Sequence, residues 1–115
     1  MRQRKIDAVI VGADRIAMNG DTANKVGTYS MAVLCREHGV PFIVVAPEST
    51  RDMLCPDGAH IPVEERSPDE VAVISDKRVM PRRWRIWNPA FDITPCALIS
   101  YHLTENGAQP GGRKK

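Results

Sequence analysis

The sequence predicts an α/β domain, a parallel sheet with flanking helices, and two observations carry that prediction. First, Ile6–Val11 and Pro41–Ala46 are short, continuous apolar runs rich in β-branched residues, the pattern of strands buried on both faces. Second, a segment of helical periodicity ending in a glycine lies between them. Strand, helix and strand joined by short links form a βαβ unit, which predicts a parallel pair with a right-handed crossover.

The elements follow in order. Gly12 closes the first strand, and Gly12-Ala13-Asp14-Arg15 leaves the sheet. Asn19-Gly20-Asp21 is a turn signal. Asp21 is placed to cap a helix running from about Thr22 to His38. Val26, Tyr29, Val33 and Leu34 give that helix an apolar stripe. Gly39 suits the position after its end, and Arg36 and His38 suit the negative end of its dipole. Pro47 ends the second strand, and Ser49–Leu54 reads as a short helix or a turn. Pro56-Asp57-Gly58 is a turn. Ser67-Pro68-Asp69-Glu70 reads as a helix start with serine as cap and proline at the first position, serving as little as one turn before Val71–Ile74, which is also compatible with a short strand. Residues 75–86 are polar, basic and hold Pro81, and they carry no clear period. Thr94 and Pro95 predict a helix start running to about Glu105, stopped by Asn106-Gly107. Residues 1–107 are expected to form one domain and residues 108–115 a disordered tail.

Composition narrows the function classes. A chain of 115 residues holds one domain and hardly more. With 43% hydrophobic and 26% charged residues it reads as globular. A formal net charge of +2 gives no argument for nucleic acid or an acidic membrane as partner. The late basic residues (Lys77, Arg78, Arg82, Arg83, Arg85, Arg113, Lys114 and Lys115) read as a solvated loop and a frayed tail, with an anion-binding patch as the alternative. No apolar run approaches the roughly 18–20 residues that cross a bilayer, and Ala8–Val11 is too short for a secretory core, so a cytoplasmic protein is expected. Cys35, Cys55 and Cys96 are odd in number and widely spaced, which suggests no disulfide framework. Together with His38, His60 and His102 they lack metal-ligand spacing, so no metal site is predicted.

In an open α/β sheet, ligands gather beyond the carboxyl ends of the strands. Two segments fall there, Gly12–Asp21 and Pro47–Arg51, and the first is richer. It leads from Asp14, Arg15, Asn19 and Asp21 to Asn24 and Lys25, which would lie in the first turn of the helix. Free N–H groups at a helix start favour an anion, so a phosphorylated small molecule is the natural guest. Each residue also has a plainer use. Asp21 is most simply a cap, Arg15 a partner for a surface carboxylate, and Asp14 a turn former. Lys25 opposes the helix dipole, which makes a functional reason more pressing. Neither GxGxxG nor the GxxxxGK[ST] phosphate loop is present, so a dinucleotide or nucleoside triphosphate lacks its usual warrant. His102 reads as a surface or core residue rather than a base.

The stretch GADRIAMNGDTANKVGTY (Gly12–Tyr29) closely resembles the signature of the methylthioribose-1-phosphate isomerase family. The resemblance continues through HGVPFIVVAPEST (His38–Thr50), IPVEERSPDEV (Ile61–Val71) and WNPAFDITPCALIS (Trp87–Ser100), and covers residues 6–107. A wider superfamily shares a looser pattern, including regulatory subunits of initiation factor 2B and ribose-1,5-bisphosphate isomerases. Retention of Asp14 and of Asp21-Thr22-Ala23 before Asn24-Lys25 favours the methylthioribose branch.

The resemblance implies a Rossmann-like domain, the C-terminal portion of a catalytic domain of the NagB/RpiA/CoA-transferase-like type. It implies aldose–ketose isomerisation of 5-methylthioribose 1-phosphate in methionine salvage, with Asp14 in the place of the catalytic acid and Asn24 and Lys25 in the place of substrate-contacting residues. The implied partner is a phosphorylated sugar, and no cofactor is expected; from the charge and hydropathy above, neither is nucleic acid or a membrane. A sheet of so few strands leaves edges and an apolar face exposed, so self-association as a homo-oligomer is expected. A carboxyl group in a closed, poorly hydrated pocket would keep the proton it must donate. The alternative is a non-catalytic regulatory subunit of the initiation factor 2B kind. The family's phosphate-binding arginines and catalytic cysteine lie in a preceding portion and have no counterpart here. Cys35, Cys55 and Cys96 lack that cysteine's context, and residues 75–86 and the tail depart from the family pattern.

Overall fold

The computed structural model describes residues 1–3 and 5–113. Its first strand, β1 (Val9–Val11), is followed by a hairpin of β2 (Arg15–Ala17) and β3 (Thr22–Lys25), and then by α1 (Thr28–Glu37). β4 (Phe42–Val45), a 3₁₀ turn at Glu48–Thr50, β5 (Arg51–Asp52) and a second 3₁₀ turn at Gly58–His60 come next. An arm carries α2 (Asp69–Ala72), β6 (Val73–Ile74) and β7 (Lys77–Arg78). β8 (Phe91–Thr94), a 3₁₀ turn at Cys96–Leu98, β9 (Tyr101–Thr104) and β10 (Gly107–Pro110) complete the order.

The architecture is mixed α/β with two four-stranded sheets. The first has the order β1-β4-β9-β10. β1 pairs parallel with β4, Val9 opposite Phe42, so the two apolar runs do form a parallel pair. β9 adds in parallel to β4, and β10 folds back antiparallel on β9. The second sheet, β5-β2-β3-β8, stands on the residues that leave β1. The main core gathers Phe42, Val44, Ile99, Leu98, Ala32, Cys35 and Ile16 between α1 and the sheets. A smaller core of Ala17, Ala23, Cys55 and Ile61 lies in the second sheet. Among the described residues no helix is long and apolar enough to cross a membrane.

Three expectations are corrected. The helix does not begin at Thr22. Thr22–Lys25 is β3, paired with β2 on one side and β8 on the other, and α1 starts only at Thr28. Gly27, at φ 105°, supplies the left-handed bend that turns strand into helix. The face α1 buries is not the large apolar stripe but Thr28, Ala32 and Cys35, spaced four and three apart. Val26, Tyr29 and Leu34 remain 43–50% exposed. Small residues on the buried side let the helix approach the sheet closely. At its other end Gly39 has φ 68°, as a glycine after a helix should.

The second correction concerns the Thr94–Glu105 helix. Pro95 starts only one 3₁₀ turn, after which Tyr101–Leu103 pair with Ile43–Val45. A central parallel ladder outweighs the local helix signal, because it satisfies every peptide group of a segment that must be buried. The third concerns the tail. Gly107–Pro110 is a strand, and the Arg113 guanidinium donates to the Val40 carbonyl at 2.6 Å and to Cys35 at 3.3 Å, so it closes the C-terminal end of α1. Lys114 and Lys115 lie outside the described residues. The one-turn helix at Ser67–Pro68 is present as α2, with Ser67 Oγ accepting from the Asp69 N–H at 3.2 Å.

Candidate active site

The two chain exits nominated by the strand-end rule meet. β1 delivers Gly12–Asp14, β4 delivers Pro47–Thr50, and the parallel pairing of β2 with β5 (Ile16 opposite Arg51, Ala17 opposite Asp52) draws them together. Between them lies an open cleft of about 410 Å³ lined by Asp14, Arg15, Ser49, Thr50, Arg51, Asp52 and Met53. Ser49, Thr50 and Arg51 fall within the second nominated segment. Asp52 and Met53 were missed, because a two-residue strand leaves no periodicity to read.

The cleft carries matched charges. Arg15 donates to Asp52 at 3.0 Å. Arg51 faces Glu48 at 3.3 Å and donates to Gln109 at 2.6 Å. Both guanidinium groups are therefore engaged by protein. Asp14 has no ion pair among the described residues, and its N–H donates to the Ala23 carbonyl at 2.8 Å. That bond holds it at the head of β2, alongside β3. Its side chain is exposed, so the closed, poorly hydrated setting expected for it is not formed by these residues alone.

Asn24 and Lys25 follow Ala23 on β3 but do not line this cleft. Successive residues of a strand face opposite ways. Asn24 donates to the Thr28 hydroxyl at 3.1 Å, at the start of α1. Lys25 stands with its ammonium 5.6 Å from the centre of the Phe91 ring, directly across the ladder. The backbone thus brings Asp14 beside β3, while the three side chains occupy separate surroundings. Nor do Asn24 and Lys25 lie in the first turn of a helix. The α1 start is already served by a carboxylate from β8, since Asp92 accepts from the N–H of Gly27 at 2.8 Å and of Tyr29 at 3.1 Å. The N–H groups of Gly27 and Tyr29 are therefore not free to receive a substrate phosphate.

Asp21 also changes role. It caps no helix. One carboxylate oxygen accepts from the Cys96 N–H at 2.8 Å, and the other from the Gly58 N–H and the Asn19 amide, each at 3.0 Å. Burial pushes this carboxyl up, but those three donors outweigh it and hold it below the ordinary range. Beside it, buried His102 shares its Nε2 with the Gly20 carbonyl at 3.1 Å and the Thr22 hydroxyl at 3.3 Å. Burial, then the neighbouring Arg51 charge, push the imidazole down, so it stays neutral. Of the surface and core placements the sequence left open for His102, the structure has the core one. Asp21 and His102 brace the β2–β3 turn.

Comparison with known proteins places these features in a wider set. The model of the Initiation factor 2 subunit family matches residues 1–111. The chain is 58% identical over 111 residues to methylthioribose-1-phosphate isomerase of Syntrophotalea carbinolica, covering 96% of this chain and 32% of that protein. It therefore spans about a third of the length of that relative. Among solved structures it resembles 5-methylthioribose 1-phosphate isomerase from Pyrococcus horikoshii, at 51% identity and a TM-score of 0.85, over 91% of this chain and 29% of that one. It also resembles the delta subunit of translation initiation factor eIF-2B from A. fulgidus, at 37% identity and a TM-score of 0.83, over 91% of this chain and 30% of that one.

Proposed function

The chain belongs to the Initiation factor 2 subunit family, and from that membership we propose that it forms the C-terminal, acid-bearing portion of a methylthioribose-1-phosphate isomerase. Backbone similarity does not separate the two branches, with TM-scores of 0.85 and 0.83. Sequence identity does: 51% to the isomerase structure against 37% to the initiation factor subunit. The observation that carries the reading is Asp14, a carboxyl group without an ion pair among the described residues at the carboxyl end of a parallel strand, in a cleft with hydroxyl side chains. The same reading takes the β1-β4-β9 ladder as part of a Rossmann-like domain of the NagB/RpiA/CoA-transferase-like type.

An aldose held as its 1-phosphate cannot open to a free aldehyde. Asp14 donates a proton to the ring oxygen as the bond from that oxygen to C1 breaks. The hydrogen on C2 ends on C1, the 2-hydroxyl gives up its proton to leave the ketone, and Asp14 regains one. Asn24 and Lys25 contact the substrate from β3, where Lys25 makes no ion pair among the described residues and offers a charge to the phosphate. The rest of the site, including whatever shields Asp14 from water, comes from beyond these residues. Self-association belongs to the same proposal.

The test is a chimera in which this chain replaces the matching third of the S. carbinolica isomerase. Turnover is expected in the chimera. Asp14→Asn should lower kcat by about 10²–10⁴-fold while KM stays within a few-fold, the signature of a lost proton donor. A chimera without turnover, or one indifferent to Asp14→Asn, rejects the reading and favours the regulatory-subunit alternative.

A further inference from the structure

The cleft beside Asp14 has a chemistry that says which end of a sugar phosphate it can hold. Its two cations are spent within the protein, Arg15 on Asp52 at 3.0 Å and Arg51 on Glu48 at 3.3 Å. Asp52 and Glu48 match the two guanidinium groups one for one. A phosphate entering here would meet no unmatched cation. The hydroxyl groups of Ser49 and Thr50 make no side-chain hydrogen bond among the described residues, which leaves them open to a neutral polyol. At the far side Met53 lines the cleft with its side chain 63% exposed, an apolar thioether that the protein itself leaves uncovered.

We infer that this cleft receives the non-phosphorylated end of the sugar: Ser49 and Thr50 face its hydroxyl groups, and Met53 packs against the apolar substituent at C5, selecting a thioether there over a phosphate. The inference rests on the isomerase reading and deepens it by assigning a specificity residue that the family resemblance did not supply. Methionine suits the task because its unbranched, polarizable side chain adapts to an apolar partner of irregular shape. The phosphate end then points away from the cleft, towards β3 and Lys25.

The experiment uses the 115-residue chain with ¹³C-methyl methionine, which gives one resonance for each of its five methionines. The probes are methylthioribose 1-phosphate, ribose 1-phosphate and ribose 1,5-bisphosphate. The Met53 methyl should shift on addition of the first and hold still with the second. Met53→Ser should weaken methylthioribose 1-phosphate by about 3- to 10-fold, the scale of one partly buried methylthio contact, and leave ribose 1-phosphate unchanged. Met53→Lys should raise the affinity for ribose 1,5-bisphosphate. Because Met53 is exposed, neither change threatens the fold. If both monophosphates bind and Met53→Ser weakens them alike, the specificity assignment falls while the isomerase reading stands. If no sugar phosphate binds, the cleft assignment falls, and the isomerase reading stands or falls with turnover of the chimera.

Discussion

At the scale of single residues, Asp21 shows how one carboxylate can hold a loop system together. Its two oxygens accept from Cys96, Gly58 and Asn19, three donors on three separate segments. Replacing it by alanine removes a charged acceptor and strands buried N–H groups, so Asp21→Ala should destabilise the chain by about 2–3 kcal/mol, read as a lower urea midpoint. Its folded-state carboxyl lies below its ordinary value. The stability it contributes is therefore present above pH 4 or so and lost as pH falls through the folded-state value. Asp21→Asn should flatten that acid limb. A limb of unchanged steepness in Asp21→Asn would show that the three donors do not recognise the charge. The sequence marked Asp21 correctly as a residue with a hydrogen-bonding duty. It misplaced the duty because an aspartate before Thr-Ala-Asn-Lys looks the same whether it caps a helix or ties loops together.

At the scale of elements, what was legible depended on whether the signal was local. β1, β4 and their parallel pairing came through because buried strands must be apolar along their whole length. The cleft came through in part for the same reason: once the strands were placed, their carboxyl ends were placed too. β3, β8 and β9 were hidden. Thr22–Lys25 is a strand because β2 and β8 flank it, and Tyr101–Thr104 is one because β4 offers an open edge. Those partners lie up to 70 or so residues away, and no window of neighbouring residues contains them. His102 on β9 illustrates the consequence. Its ring is buried under the β2–β3 turn, and burial and Arg51 hold its folded-state value below 6.5. Protonation therefore favours the unfolded chain. Full stability is expected above about pH 6.5, falling as pH drops below it, by at most about 1.4 kcal/mol per unit. Unfolding in urea between pH 8 and pH 5 measures the slope, and His102→Gln should remove it. A slope that survives in His102→Gln belongs to some other group.

At the scale of the whole molecule, the chain is larger than its length calls for. Its radius of gyration is 16.3 Å, against about 13 Å for a compact domain of this size. Its accessible surface is 8005 Å², against about 6,300 Å² for a folded monomer of the same mass. The shape is flat, 47 × 41 × 21 Å. Large apolar side chains are exposed along the α2–β7 arm and the segment after it: Ile74 at 62%, Val79 at 59%, Trp84 at 55% and Trp87 at 80%. Trp84 and Trp87 share an open groove with Arg78, Arg82, Arg85, Glu65 and Asp69. Tryptophan and arginine are the residues that most often anchor protein interfaces, and a patch carrying both signs of charge can face its own copy across a two-fold axis. The proposed self-association should therefore run through this groove. Sedimentation equilibrium should give a mass that rises above 12.8 kDa with concentration. Trp84→Ser and Trp87→Ser together should return it to the monomer value without altering the melting of the core, because neither side chain belongs to the buried clusters. A chain that stays monomeric at 100 μM, or a double variant that associates as before, would remove the groove from any role in assembly.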